Sequence, residues 1–81
     1  MYVTDWCPFC RRAKELLKSK GVIEIEEIHV QLDASGRAEL RAKTGRRTVP
    51  QIYIGGRHVG GCDELYVLEE AGELDSLLAQ P

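Results

Sequence analysis

Cys7 and Cys10, set in Trp6-Cys7-Pro8-Phe9-Cys10, fall where a short apolar run ends and a helical pattern begins. That junction constrains the chain more than any other feature, because it predicts a strand-to-helix turn whose helix opens on a thiol. A cysteine at the first turn of a helix sits at the positive end of the aligned peptide dipoles, which favours thiolate over thiol. The thiolate is the form that attacks disulfides. Cys7 is expected to cap the helix, its sulfur accepting from the backbone N–H groups of Phe9 and Cys10. Pro8, at the first helical position, sacrifices no hydrogen bond and presets φ. Cys7 is thus the expected exposed nucleophile, and Cys10, one turn in, the more buried resolving thiol. Trp6 and Phe9 are expected to shield the pair and to form part of a contact surface.

A close cysteine pair can also be structural or hold a metal. A metal knuckle normally needs a second cysteine pair, and only Cys62 remains in this chain. The chain has 81 residues, the size of one small domain, expected over residues 1–81. With 43% hydrophobic and 30% charged residues it has the composition of a soluble globular protein. No apolar run approaches the roughly 20 residues needed to span a bilayer. Met1-Tyr2-Val3-Thr4 leads straight to the cysteines without a signal-peptide pattern. The expected setting is therefore the cytoplasm, where such a pair is catalytic or metal-binding rather than a structural staple.

The net charge of −2 is unevenly spread. Arg37, Arg41, Lys43, Arg46, Arg47 and Arg57 crowd one stretch, and Asp63, Glu64, Glu69, Glu70, Glu73 and Asp75 another. Most of these belong on solvated helix faces. The basic stretch is too sparse and too poor in aromatics for nucleic acid, but it suits a small anionic ligand.

The elements follow from periodicity and punctuation. Tyr2-Val3-Thr4 is a short strand, and Ala13, Leu16 and Leu17 mark a helix from Pro8 to about Lys20, stopped by Gly21. Val22 to Val30 is rich in β-branched residues, but Ile23/Ile25 and Ile28/Val30 fall on opposite phases. A bulge or a late strand start near Ile25 would reconcile them. Asp33 can cap a helix from about Ala34 to Thr44, ended by Gly45. Gln51–Ile54 and Arg57–Gly60 flank Gly55-Gly56 as a hairpin. A helix from about Asp63 to Ala71 follows, with a last helical turn suggested by Leu74, Leu77 and Leu78. The string βαβαββα predicts one α/β domain in which a parallel crossover is joined to an antiparallel pair.

Two further clusters bear on the dithiol. A cis Val49–Pro50 bond would aim the Val49 N–H and C=O outward beside Cys7, where an extended peptide could pair with them. Gly60-Gly61-Cys62-Asp63 leads into the last long helix, whose first N–H groups suit a carboxylate, while Asp63 suits an ammonium group.

Taken in order, Cys7-Pro8-Phe9-Cys10, Thr48-Val49-Pro50 and Gly60-Gly61-Cys62-Asp63 resemble the glutaredoxins, a branch of the thioredoxin fold, from Tyr2 to about Leu78. The resemblance implies a thioredoxin-like fold with a four-stranded mixed sheet flanked by helices, and a glutathione site. In that family the residue matching Val49, before the cis proline Pro50, pairs its backbone with the cysteinyl part of glutathione. The positions of Cys62 and Asp63 hold the γ-glutamyl end, by backbone N–H and side chain. Arg47 matches a basic position that in some members meets the glycyl carboxylate, and Arg46 matches a neighbouring one in others. The chain departs from the family at Thr4, where many members carry a lysine that stabilises the thiolate. Its absence leaves the helix terminus, with Arg11 or Arg12 nearby, to do more of that work.

The function implied is glutathione-dependent reduction of protein disulfides and of glutathione mixed disulfides, by a monomer with no permanently bound cofactor and no metal. Its partners are glutathione and disulfide-containing or glutathionylated proteins, with no nucleic acid and no membrane. Two other readings are a redoxin reduced by thioredoxin reductase and an iron–sulfur carrier or sensor. The pocket residues Arg47, Cys62 and Asp63 argue against the first, and Pro8 against the second. Cys62 is expected to contribute its backbone rather than its thiol. His29, His58, Tyr53 and Tyr66 are expected to lie outside the chemistry.

Overall fold

The computed structural model describes residues 1–31 and 33–79. Helices form where an apolar stripe coincides with end signals. Helix α1 spans Pro8–Ser19 with Cys7 as its N-cap and buries Cys10, Ala13 and Leu17 along one face. Helix α2 spans Ala34–Thr44; the Asp33 carboxylate accepts from the Gly36 N–H at 2.7 Å, and Gly45 ends it in the left-handed conformation. Helix α3, Cys62–Glu70, begins one residue earlier than the sequence suggests, because Glu64 reaches back to the Gly61 N–H and makes Gly61 the cap. The last leucines form a helix of their own, α4, Leu74–Ala79, with Leu74 and Leu77 buried. The order is therefore βαβαββαα, one element longer than expected.

Strand β1, Tyr2–Val3, pairs in parallel with β2, Ile28–His29, across the α1 crossover. Strands β3, Ile52–Ile54, and β4, Arg57–Gly60, form the expected antiparallel hairpin. Its turn residues Gly55 and Gly56 have φ of 57° and 85°, the paired positive angles that a tight two-residue hairpin turn requires. A bulge follows, since Tyr53 faces His58 but Ile52 faces Gly60.

The expected four-stranded mixed sheet takes the form of two two-stranded ladders joined by one antiparallel bridge. Tyr2 N–H donates to the Gln51 carbonyl at 2.9 Å, and Gln51 N–H donates to the Tyr2 carbonyl at 3.1 Å. Strand β2 is shorter than its composition suggests, for a geometric reason. Strand β1 offers it only Tyr2 and Val3 as ladder partners, so residues 22–27 run past the end of β1 unpaired in any strand. Ile23 is 95% exposed there, and a cavity of about 560 Å³ opens between Val22–Glu26 and Ile52–Ile54.

Met1, Val3, Cys10, Ala13, Leu17, Ile52, Cys62, Leu65 and Leu74 form a single core cluster between α1, α3 and the strands. The Lys20 ammonium binds Glu69 at 2.7 Å and Asp75 at 3.2 Å, tying the end of α1 to α3 and α4. Among the described residues no helix is long and apolar enough to cross a membrane.

Leu65 is wholly enclosed (0% exposed) where α3 meets this core. Leu65→Ala is expected to cost about 3 kcal/mol, the usual cost of such a cavity. Urea denaturation measures it, and a loss below about 1 kcal/mol would show that the α3 face is not close-packed.

Candidate active site

Cys7 has the extended backbone of an N-cap, φ −136° and ψ 103°, so its side chain turns back over the open end of α1. Its sulfur accepts from the Cys10 N–H at 3.2 Å. Negative charge on this sulfur would meet a backbone donor and the positive end of the helix dipole. On its other side Cys7 Sγ lies 3.9 Å from the Val49 carbonyl oxygen. Cys7 is half-buried, flanked by Trp6 (90% exposed) and Phe9 (53% exposed), which present an apolar surface around it.

Cys10 faces the core and is only 2% exposed. Burial, reinforced by its hydrogen bond to Cys7, pushes its pKa up to about 12, while a Thr4 backbone contact opposes the rise. Cys10 therefore holds its proton at neutral pH. Cys62 is also buried, and burial raises its pKa against the opposing charge of Arg12. All three cysteines are free thiols.

The Val49–Pro50 peptide is cis, as the sequence predicts. Two hollows meet at Thr48 and Val49. One, about 230 Å³, is walled by Thr4, Trp6, Cys7, Pro8 and Arg37. The other, about 170 Å³, is walled by Phe9, Arg46, Pro50, Gly61, Cys62, Asp63 and Glu64. They share the Thr48–Val49 wall, the first hollow holding Cys7 and the second the start of α3. Cys62 and Asp63 occupy the first turn of α3, where backbone N–H groups lack intrahelical acceptors.

The structure thus brings together Cys7, Cys10, Val49, Pro50, Cys62 and Asp63. Arg47 stands apart from the groove, against Ala34, Ala38, Arg41 and Ala42. Its carbonyl accepts from Arg37 at 3.3 Å. Arg46 lines the groove, but its guanidinium is paired with Glu64. The residue that sequence reasoning missed is Arg37, which stands on the first turns of α2 and lines the hollow with Thr4 and Cys7. No local pattern distinguishes it from the other arginines of α2; only the packing of α2 does. Arg12, a proposed stand-in for the absent lysine, lies instead over the Tyr66 ring, 5.2 Å from its centroid. Among the described residues no cluster of three or more His, Cys, Asp or Glu is placed to hold a metal.

A dithiol divided between a helix cap and the core, beside a cis-proline loop and on a strand–helix–strand crossover, defines the class: a thiol–disulfide oxidoreductase of the thioredoxin fold. Comparison with known proteins narrows it. A sequence model of the glutaredoxin family matches residues 1–59. A glutaredoxin of Pseudomonas aeruginosa is 56% identical over 79 residues, covering 98% of this chain and 93% of that protein. The solution structure of a Brucella melitensis glutaredoxin superposes with a TM-score of 0.76 at 53% identity, over 95% of this chain and 83% of that one. The crystal structure of a buckwheat glutaredoxin–glutathione complex gives 0.75 at 33% identity, over 95% and 72%. The chain belongs to the glutaredoxin family and is a glutathione-dependent disulfide oxidoreductase.

The Arg46 pair and the Gly61 N–H together hold the Glu64 carboxyl below its ordinary 4.5. A carboxylate favoured in the folded state contributes stability above its unfolded pKa and loses that contribution as pH falls through the lowered folded value. Wild type is therefore expected to melt higher than Glu64→Gln at neutral pH, with the gap closing on acidification below 4.5. Melting curves across pH check this; a gap that does not vary with pH would mean that the Glu64 charge is not what braces the loop.

Proposed function

We propose that this single-domain, monomeric protein reduces protein disulfides and removes glutathione from mixed disulfides in the cytoplasm, with Cys7 as nucleophile and Cys10 as resolving thiol. The observation that carries the reading is the pair of hollows that share Thr48 and Val49, one lined by Cys7 and the other by Cys62 and Asp63, read as one groove. Its lining residues suit an extended peptide charged at both ends, such as glutathione. The cysteinyl part pairs with the Val49 backbone beside Pro50, which places its sulfur at Cys7. The γ-glutamyl end lies at the start of α3, its carboxylate on the N–H groups of Cys62 and Asp63 and its ammonium group on the Asp63 carboxylate. The glycyl carboxylate then points to the opposite end of the groove, toward Arg37. Arg47 acts through the carbonyl that orients Arg37, and Arg46 braces Glu64.

In the first step the Cys7 thiolate attacks the glutathione sulfur of a mixed disulfide. A Cys7–glutathione disulfide forms, the old S–S bond breaks, and the substrate leaves as a thiol after taking up a proton. The thiolate of a second glutathione attacks the sulfur of the bound one, releasing glutathione disulfide and regenerating Cys7. With a protein disulfide, Cys7 forms the mixed disulfide with the protein and Cys10 displaces it. The resulting Cys7–Cys10 disulfide is reduced by two glutathiones. Glutaredoxins poise near roughly −200 to −230 mV, within reach of the glutathione pool. No resident cofactor or metal takes part in either route.

The test is turnover of a small glutathione mixed disulfide, coupled through glutathione to glutathione reductase. Cys7→Ser is expected to be inactive, and Cys10→Ser to keep most of its deglutathionylation while losing reduction of protein disulfides. Arg37→Ala is expected to raise the apparent KM for the mixed disulfide about ten-fold, the loss of one hydrogen-bonded ion contact. Turnover supported by thioredoxin reductase but not by glutathione would assign the chain to the redoxins. A brown, iron-containing protein after anaerobic purification would favour the cluster-carrying alternative.

A further inference from the structure

Behind the Thr48–Pro50 loop runs a chain of hydrogen bonds that takes no part in the chemistry above. Gln51, the residue after the cis proline, is wholly enclosed at 0% exposure. Its side-chain nitrogen donates to the Thr48 carbonyl at 2.8 Å and to the Thr48 hydroxyl at 3.2 Å. Its side-chain oxygen lies 2.8 Å from Nε2 of His58.

Elementary chemistry fixes the polarity of this chain. A glutamine oxygen turned toward the Thr48 carbonyl would set acceptor against acceptor, so the nitrogen faces Thr48 and the oxygen faces His58. His58 must then donate, which requires a hydrogen on Nε2. The Nε2–H tautomer and the imidazolium both meet that requirement, and the Nδ1–H tautomer does not. The imidazole is held in plane by stacking on Tyr53, its partner across the hairpin, with centroids 4.6 Å apart and planes 10° apart.

The far end of the chain is where it bears on the groove. The Thr48 carbonyl and the Val49 N–H belong to one planar peptide group, and in a trans peptide they point in opposite directions. Only Val49–Pro50 is cis among the described residues, so the Thr48–Val49 peptide is trans. Gln51 draws the Thr48 carbonyl inward, and the Val49 N–H is thereby turned outward, the direction in which an extended ligand can accept from it.

We propose that Gln51 and His58 are positioning residues for glutathione: His58 orients the buried Gln51 amide, Gln51 holds the Thr48 carbonyl, and the shared peptide plane aims the Val49 N–H into the groove. Neither side chain touches the ligand. The inference rests on the glutathione reading of the groove and adds to it the device that sets the docking edge.

His58 is exposed, so it can be changed with the core intact. His58→Phe keeps a ring against Tyr53 but removes the donor, and His58→Gln restores a donor near the position of Nε2. In the coupled assay, His58→Phe is expected to raise the apparent KM for the glutathione mixed disulfide about five-fold with kcat unchanged, as for one neutral hydrogen bond lost. His58→Gln is expected to return KM toward wild type. A KM for His58→Phe equal to that of wild type overturns the inference, as does a fall in Tm at unchanged KM or a His58→Gln variant no better than His58→Phe. Each of these leaves the glutathione reading standing, because wild type still turns over. Wild type that fails to turn over with glutathione brings down that reading and this inference together.

Discussion

The site hangs on one rung of backbone hydrogen bonding, the reciprocal pair between Tyr2 and Gln51 at 2.9 and 3.1 Å. Strand β1 passes from Tyr2 through buried Val3 to Cys7, while Gln51 directly follows the cis proline. Fixing Tyr2 against Gln51 therefore fixes the dithiol turn against the Val49 carbonyl, although the two lie far apart in sequence. The rung is well defended: Val3, Gln51 and Ile52 are all at or below 1% exposure, and Tyr53 packs edge-on against Tyr2. Two loops meet at the groove, but their spacing is a property of the core.

The groove's charge follows from the same frame. The family's lysine is absent at Thr4, and Arg12 does not replace it, since it packs over the Tyr66 ring. A cation arrives from α2, whose N-terminal turns place Arg37 against the Thr4–Cys7 wall. At the opposite end Arg46 is engaged with Glu64, whose carboxylate also serves the Gly61 N–H. That pairing stiffens the junction of β4 and α3. Gly60 suits this place because its φ is +114° and a Cβ there would come within 2.7 Å of the Glu64 carboxylate.

What the sequence made legible was local. The Asp33 cap, the Gly45 stop, the Gly-Gly turn and the Cys7-Pro8 helix start depend on residues within a turn of one another, and all appear where the pattern puts them. Cys10 as the more buried thiol followed from one-turn spacing, and burial does push up its pKa. Strand β2 was less legible because strand length depends on the partner, and a composition rich in isoleucine does not make a strand where β1 offers nothing to pair with. Arg37 and Arg47 show the same limit. Both belong to one basic stretch, and only the direction in which α2 packs decides which reaches the groove. Gln51 looks like an ordinary polar residue at a strand start until the His58 and Thr48 contacts make it a buried link.

The unequal thiols also bear on the order of events in the proposed mechanism. Three causes hold the proton on Cys10: desolvation, the hydrogen bond to the Cys7 sulfur and the charge of Cys7. Only desolvation belongs to the fold. The other two come from the neighbouring Cys7 sulfur. Cys10 is thus held protonated beside Cys7. A glutathione adduct on Cys7 can meanwhile be cleared by a second glutathione without Cys10. In the mechanism proposed above, burial of Cys10 favours the single-thiol route for glutathione adducts and leaves Cys10 for protein disulfides, where the tethered thiol has the advantage of proximity.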